Sequence, residues 1–182
     1  MKQIISWCLV VAILAVVSIS SACVGKTIHL GISNASSERL LAEMASLLIT
    51  ERTGSSVKID VYKDSKELYN AVKQGEVNVI FENPSRGAEV VGKPKDSSYD
   101  QVKSEYKAKL NMTWLEPIGG SLKFAPVLTA DTMANYPALP KLLNKLSGAL
   151  TNDTYAKLLK SVESDEKSKK TAKEFLKGKK LI

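Results

Sequence analysis

Residues 75–92 constrain the fold more than any other stretch, because a short apolar run there leads directly into a helix start. The run comprises Val77, Val79, Ile80 and Phe81, and it is bounded by Gly75 and Pro84. Such a run is typical of a buried central strand in an α/β sheet. Asn83 is a favourable N-cap and Pro84 suits the first helical position, so a helix is predicted from Pro84 to about Val91. This junction places Glu82, Asn83, Ser85 and Arg86 where parallel sheets bind ligands.

The first half of the chain alternates strand and helix signals. Strands are predicted at 27–32 and 57–61, before the run described above. The first helix has an apolar stripe, made of Leu40, Leu41, Met44, Leu47 and Leu48, and ends at Gly54. The second begins with Asp64 and Glu67 at capping-box spacing and ends at Gly75. The order β-α-β-α-β-α predicts a mainly parallel sheet with right-handed crossovers, flanked by helices.

The second half adds two strands and more helices. A helix is predicted at 99–109, with Val102 and Tyr106 facing inward, followed by a strand at 112–115. The segment 122–128 is extended but contains Pro126, which predicts an edge strand or a crossing connection. Three helices follow, one stopped by Gly148 and one capped by Asn152 or Asp153. Their inner residues are Leu139, Leu142, Leu143 and Leu146, then Tyr155, Leu158, Leu159 and Val162, then Ala172, Phe175 and Leu176. These three helices are expected to cover one face of the sheet.

The first 22 residues have the features of a signal peptide. Lys2 precedes an almost uncharged apolar run at 4–19, and small residues stand directly before Cys23. The pattern resembles a bacterial lipoprotein cleavage site, which makes Cys23 a candidate lipid anchor, although Ser20 stands where that pattern usually has an aliphatic residue. The alternative is ordinary cleavage after Ala22. Residues 23–182 are therefore predicted to form one exported domain, located in the periplasm or cell envelope.

Charge and length narrow the function classes. A chain of 182 residues with 44% hydrophobic content suffices for one well-packed domain. The net charge of +7 comes mainly from Lys residues at helical spacing in the last third, which is typical of solvated helix faces. No nucleic-acid-binding motif is present, and no nucleic-acid partner is expected.

An enzyme is not predicted. His29 is the single histidine and lies inside the first predicted strand, where a core or strand role is expected. We find no catalytic triad order, no metal-ligand spacing and no phosphate-binding glycine loop, so neither a cofactor nor a metal is expected.

Three turns should lie together at the carboxyl ends of the strands, at 33–37, 82–86 and 117–123. The first two precede helices, whose free N–H groups and positive partial charge suit a carboxylate. Candidate ligand-binding residues are Ser33, Ser36, Ser37, Glu82, Asn83 and Arg86. The alternative is that Ser36, Ser37 and Asn83 cap their own helices, while Arg86 pairs with Glu82 or Glu89 on the surface.

Several segments resemble a known family. They are 28–32 with the following Ser-rich turn and 38–44, then 75–82, 114–117, 136–146, 150–158 and 172–176. Together they are similar to the solute-binding proteins of ABC uptake systems for glycine betaine, choline and related osmoprotectants. The resemblance implies a periplasmic-binding-protein-like (type 2) fold, a quaternary ammonium solute, an ABC permease complex as partner and no catalysis.

The chain departs from the family in two places. The family inserts a second lobe between two crossing strands, whereas here residue 117 is followed within about twenty residues by the stretch that comes after that lobe, so a single lobe is predicted. Only Glu82 matches the family's turn after the third strand, and the aromatic residue expected near Asn83 is missing. The missing aromatic residue matters because aromatic faces hold quaternary ammonium groups. The missing lobe matters because tight pockets bury at least about 70% of a ligand.

These departures leave two alternatives to solute binding by one lobe. In the first, the lobe has lost solute binding and serves as a protein-interaction or sensory module. In the second, two lobes face each other as a homodimer. Exposed apolar residues between Leu115 and Val127 would favour both alternatives. A polar concavity at Ser33, Glu82 and Arg86 would favour retained binding.

Overall fold

The structure is a computed structural model that describes residues 27–118, 124–162 and 165–182. The predicted signal peptide and Cys23 lie outside these ranges, as does most of the turn at 117–123. The strands are β1 (Ile28–Ser33), β2 (Val57–Tyr62), β3 (Val79–Glu82), β4 (Met112–Trp114) and β5 (Ala125–Thr129). The helices are α1 (Ser36–Thr53), α2 (Ser65–Lys73), α3 (Pro84–Val90), α4 (Tyr99–Leu110), α5 (Ala130–Asn135), α6 (Leu139–Ala149), α7 (Asn152–Lys160) and α8 (Asp165–Gly178).

The five strands form one sheet in the order β2-β1-β3-β5-β4. β1 is parallel to both of its neighbours, whereas β5 is antiparallel to β3 and β4. The predicted α/β class, with helices flanking a mainly parallel sheet, is confirmed. Residues 115–124 join β4 to β5, and the described part of the chain contains no second sheet that would make another lobe.

The position of β5 corrects the prediction of an edge strand, since β5 lies between β3 and β4. The backbone N–H of Leu115 donates to the carbonyl of Pro126 (2.9 Å), and in an antiparallel ladder the N–H of residue 126 would donate back. Proline has no N–H, and the hydroxyl of Tyr99 donates to the Leu115 carbonyl instead (2.5 Å). A side chain from α4 therefore satisfies the group that Pro126 leaves unpaired, and the proline is tolerated inside the sheet.

The apolar residues form one cluster on each face of the sheet. On the first face α1, α6, α7 and α8 cover Ile28, Leu30 and Ile32, as predicted for the last three helices. On the second face α2, α3 and α4 cover Val77, Ile80 and Val127. Val102 and Tyr106 are fully buried there. Two faces, each with its own helices, make this a three-layer lobe.

Gly31 and Gly87 allow close packing on the second face. A Cβ atom at Gly31 would lie 2.6 Å from Leu68 Cδ1, and one at Gly87 would lie 2.8 Å from Trp114 Cζ2. Both distances are shorter than real contacts of such carbon atoms. Glycine therefore lets α2 approach β1 and lets Trp114 pack against α3.

Several boundaries differ slightly from the sequence prediction. α6 continues through Gly148 to Ala149, and the N-cap of α7 is Thr151 rather than Asn152 or Asp153. The side chain of Asp64 caps α2, but the carboxylate of Glu67 accepts from the N–H of Lys63 (2.9 Å) instead of completing a capping box. The short helix α5 has no counterpart among the predicted elements.

Apolar surface is scarce among the described residues, where Val61 is the exposed large hydrophobic side chain, at 44%. Leu115, Ile118, Phe124 and Val127 are all buried. The described residues between Leu115 and Val127 thus form no exposed apolar patch of the kind that would favour an interaction surface, and residues 119–123 lie outside the described ranges. No helix in the described ranges combines the length and the apolar character needed to cross a membrane.

Candidate ligand-binding edge

The carboxyl edge of the sheet, where β1, β2 and β3 end, brings two of the predicted turns together. β1 and β3 are neighbours. The chain after β1 turns to α1 on the first face, whereas the chain after β3 turns to α3 on the second. Neighbouring strands whose connections leave to opposite faces open a crevice between them, and such switch points are where α/β sheets bind ligands.

Glu82, the last residue of β3, lies beneath this crevice and is fully buried. One carboxylate oxygen accepts from the N–H of Asn83 (2.9 Å) and from Nε of Arg86 (2.5 Å). The other accepts from the hydroxyl of Tyr69 (2.7 Å). Both oxygens are therefore hydrogen-bonded within the protein, as a buried carboxylate requires.

Arg86, in the first turn of α3, connects the two turns. Its Nη1 contacts the carboxylate of Glu38 in α1 (2.5 Å), and its Nη2 donates to the carbonyl of Phe81 (2.6 Å). The Glu38 carboxylate also accepts from the backbone N–H and the hydroxyl of Ser33, at 2.8 and 2.7 Å. One guanidinium thus ties the end of β1 to the start of α3. We call Ser33, Glu38, Glu82, Asn83 and Arg86 the carboxyl-edge cluster.

Two tyrosines lie beneath the carboxyl-edge cluster. The hydroxyls of Tyr69 and Tyr106 are 2.5 Å apart. Because an ionised carboxylate only accepts, Tyr69 donates to Glu82 and accepts from Tyr106. The rings of Tyr106 and Trp114 meet edge to face with centroids 5.0 Å apart. This chain of contacts carries the polar cluster into the core of the second face.

Burial shifts the pKa values of these groups. Desolvation raises the pKa of Glu82 above its usual value, although Arg86, Tyr69 and the N–H of Asn83 act in the opposite direction. Burial alone would lower the pKa of Arg86, but the charges of Glu82 and Glu38 raise it overall. Burial also raises the pKa of Tyr69 well above its usual value, and the charge of Glu82 adds to that shift. The tyrosines therefore stay neutral donors.

The structure brings together four of the six predicted residues, namely Ser33, Glu82, Asn83 and Arg86. Asn83 caps α3, since its side chain accepts from the N–H of Arg86 (3.0 Å). Arg86 does pair with Glu82, but beneath the surface rather than on it. Glu89 pairs instead with Lys95.

Ser36 and Ser37 lie in the first turn of α1 and do not cap it. The N-cap is Ala35, which makes no side-chain cap hydrogen bond. Ser36 is exposed and Ser37 is half-buried, with its carbonyl accepting from the hydroxyl of Tyr155 (3.1 Å). The surface around the carboxyl-edge cluster is polar, and its exposed residues include Asn34, Ser36 and Ser85.

Sequence reasoning missed three members of this network, Glu38, Tyr69 and Tyr106, as polar groups of the site. Glu38 stands five residues after Ser33, in the first turn of a helix. An acidic residue there is already explained by its favourable interaction with the helix dipole. Tyr106 was predicted to face inward, but its hydroxyl partner comes from α2, far away in the sequence. No local signal links these residues, because three different elements bring them together.

Clefts also lie away from this edge. One of about 300 Å³ is lined by Tyr69, Lys73, Lys109 and Asp131 among others, near the opposite edge. Another of about 370 Å³ is lined by His29, Lys58, Asp60, Tyr62, Gly75 and Glu76. His29 lies in β1, as predicted for a strand residue, and its Nδ1 is 2.6 Å from Asp60.

Solved structures share this fold at low sequence identity. A crystal structure of a glycine betaine/carnitine/choline ABC transporter protein matches with a TM-score of 0.72 and 11% identity, covering 86% of this chain and 98% of that one. Apo YehZ from Escherichia coli matches with a TM-score of 0.74 and 13% identity, covering 87% of this chain and 100% of that one. At such identities the likeness establishes the fold.

The family is identified by the amino-acid sequence itself. Residues 26–123, more than half of the chain, match the family model described as the substrate-binding domain of ABC-type glycine betaine transport systems. The matched range contains β1 to β4 and every residue of the carboxyl-edge cluster. This protein belongs to the family of substrate-binding domains of ABC-type glycine betaine transport systems.

Proposed function

We propose that this protein is the exported, non-catalytic binding component of an ABC uptake system for a glycine betaine- or choline-like quaternary ammonium solute. The observation that carries the proposal is the family match over residues 26–123, which include both turns at the switch point. Members of this family are typically exported and work with an ABC permease complex. The permease is accordingly the expected protein partner.

The solute is expected to lie at the carboxyl edge, above the carboxyl-edge cluster. Glu82 and Glu38 are at most 1% exposed, so their part is to hold the turns in place and to supply negative charge beneath the site. The side chains that a solute would meet first are those of Ser36 and Ser85, with the half-buried Ser33, Asn83 and Arg86 beside them. Two carboxylates against one guanidinium favour a cationic solute.

Calorimetric titration with glycine betaine, choline and carnitine tests the solute class. A dissociation constant below about 100 μM, or roughly −5.5 kcal/mol, for one of them supports the proposal. If none binds to the correctly folded protein, the solute-binding function is wrong. The chain would then be an interaction or sensory module.

Two pairs of substitutions test the place of binding. Ser36→Leu with Ser85→Leu adds bulk on the exposed side of the carboxyl edge and should weaken binding at least about tenfold, or by about 1.4 kcal/mol. Ser56→Leu with Ser104→Leu adds the same bulk at exposed positions elsewhere and should leave affinity unchanged. Equal weakening by both pairs would contradict a site at this edge.

Export and anchoring need a separate test. Expression of the full chain in a bacterial host, followed by mass spectrometry of the mature amino terminus, should show cleavage before Cys23. If Cys23 carries lipid, the mature chain fractionates with membranes, and Cys23→Ala releases it. An intact amino terminus in the cytoplasm would contradict export.

A further inference from the structure

The amino edge of the sheet, opposite the candidate site, carries an excess of exposed cations. It is formed by the starts of β1, β2 and β3 and by the ends of α1, α2, α4 and α8. Its exposed basic residues include Arg52, Lys73, Lys107, Lys177, Lys179 and Lys180. Its exposed acidic residues include Glu51, Glu76 and Asp131. The described part of this edge is therefore positively charged.

Hydrogen bonds fix the ends of α1 and α8 beside the point where the chain enters the fold. Arg52 donates from Nε to the carbonyl of Leu181 (2.6 Å) and from Nη2 to that of Lys180 (3.2 Å). The N–H of Ile28 donates to the carbonyl of Ser56 (2.9 Å), three residues after α1 ends. The lysines at the end of α8 thus lie at the same edge as Thr27.

Four of these six cations have a local reason to be there, because a basic residue in the last turn of a helix interacts favourably with the helix dipole. Arg52, Lys73, Lys107 and Lys177 all occupy last turns. The β-α-β connections make α1 and α2 end at the amino edge, where α4 and α8 end as well. Because several helices end at the same edge, the basic residues in their last turns together form one positively charged surface.

The chain before β1 determines what this surface can meet. Four steps along the chain separate Cys23 from Thr27, and an extended residue spans at most about 3.6 Å, so the reach is about 14 Å. A lipid on Cys23 would hold the amino edge within about that distance of a bilayer. The carboxyl edge would then point away from the lipid.

We propose that the amino edge docks on anionic phospholipid headgroups, in addition to the lipid anchor predicted from the sequence. The inference depends on the predicted export and anchor for its orientation, and it does not depend on solute binding. Lysines within a Debye length of an anionic bilayer are attracted to it, and salt weakens that attraction. Lys177 and Lys179 are exposed on either side of Gly178, where α8 ends, which makes them the principal contacts.

Co-sedimentation with lipid vesicles tests the proposal. Both apolar clusters consist of residues from 28 onward, so residues 24–182 can be used without the leader or the lipid. We expect binding to phosphatidylcholine vesicles containing phosphatidylglycerol, little binding to phosphatidylcholine alone, and loss of binding at high salt. Lys177→Glu with Lys179→Glu should weaken the partitioning by about tenfold or more.

The matched control is Lys63→Glu with Lys66→Glu, which makes the same change in net charge at the carboxyl edge, where both lysines are exposed. It should bind anionic vesicles at least half as well as the parent chain. The proposal is wrong if anionic vesicles are not bound, if neutral vesicles are bound equally, or if both variants lose binding to the same extent. Unchanged solute affinity in the Lys177/Lys179 variant would separate this result from the proposed function.

Discussion

Two clusters of ionisable side chains differ in their exposure to solvent: one is buried and the other is partly exposed. In the carboxyl-edge cluster the side chains of Glu82 and Glu38 are 0% and 2% exposed. In the second cluster, formed by His29, Lys58 and Asp60, the side chains are 32%, 64% and 18% exposed. The distances are similar, but breaking a buried pair leaves a charge without solvent, whereas water replaces a lost partner at the surface. Burial, rather than distance, should therefore decide what each cluster contributes to stability.

The largest effect is expected from Arg86→Met. This change removes the single cation of the carboxyl-edge cluster and leaves two carboxylates buried, so the free energy of unfolding should fall by about 3–5 kcal/mol. Urea unfolding followed by circular dichroism measures it. Lys95→Met breaks the exposed pair with Glu89 and should cause no measurable change. A loss below about 1 kcal/mol for Arg86→Met would remove the distinction between the two clusters.

The pH dependence of the same variant sharpens this comparison. The pKa of Glu82 is raised in the folded protein by burial, and Arg86 opposes that shift, so Arg86→Met should raise it further. A carboxyl group with a raised folded pKa binds its proton more tightly in the folded state, so lowering the pH towards the unfolded value of about 4.3 stabilises the fold. The loss in free energy of unfolding caused by Arg86→Met should therefore be smaller at about pH 5 than at about pH 8. A deficit that grows on acidification would contradict this assignment.

Tyr69→Phe should have an intermediate effect. The change removes the donor to one oxygen of Glu82 and the acceptor for Tyr106, both in the core, at an expected cost of about 1–3 kcal/mol. Tyr62→Phe is the control, because Tyr62 is half-buried at the end of the edge strand β2. Equal losses in the two variants would show that the buried network adds nothing.

Tyr99→Phe tests the hydroxyl that compensates for Pro126. It should lower stability by about 1 kcal/mol, because the Leu115 carbonyl loses its donor. In a Pro126→Ala background residue 126 regains an N–H that faces the same carbonyl, so Tyr99→Phe should cost less there. The double-mutant cycle measures this coupling, and additive effects would exclude the compensation.

The smallest effect is expected from Asp60→Asn in the second cluster, where the free energy of unfolding should fall by less than about 1 kcal/mol at neutral pH. Burial raises the pKa of Asp60, but hydrogen bonds from Lys58 and His29 outweigh it and lower the pKa overall. A lowered folded pKa gives stability that is present above the unfolded value of about 3.9 and is lost as the pH falls below it. The difference between parent and variant should therefore shrink as the pH falls below about 4 and through the lowered pKa of the folded state. A loss as large as that of Arg86→Met would contradict the role given to burial.

Local sequence signals predicted most of the elements and one half of the candidate site. The strand and helix around Asn83 follow from an apolar run, an N-cap and a proline at the first helical position, and all of these act within a few residues. Glu82 and Arg86 are only four residues apart, so their pairing could also be predicted. Glu38 and Tyr69 could not be assigned to the cluster, because their places depend on the packing of α1 and α2 on opposite faces.

The sequence by itself determined an α/β lobe with a strand-to-helix junction at Asn83, since periodicity, capping and proline act locally. Only the tertiary structure decided that Pro126 lies inside the sheet, because the hydroxyl that replaces its missing N–H comes from α4. Only the tertiary structure decided that Arg86 is shared between Glu82 and Glu38, because parallel pairing of β1 with β3 brings the two turns together. The physical reason is the same in both cases: a buried polar group must find a partner, and the fold, rather than the neighbouring sequence, supplies it.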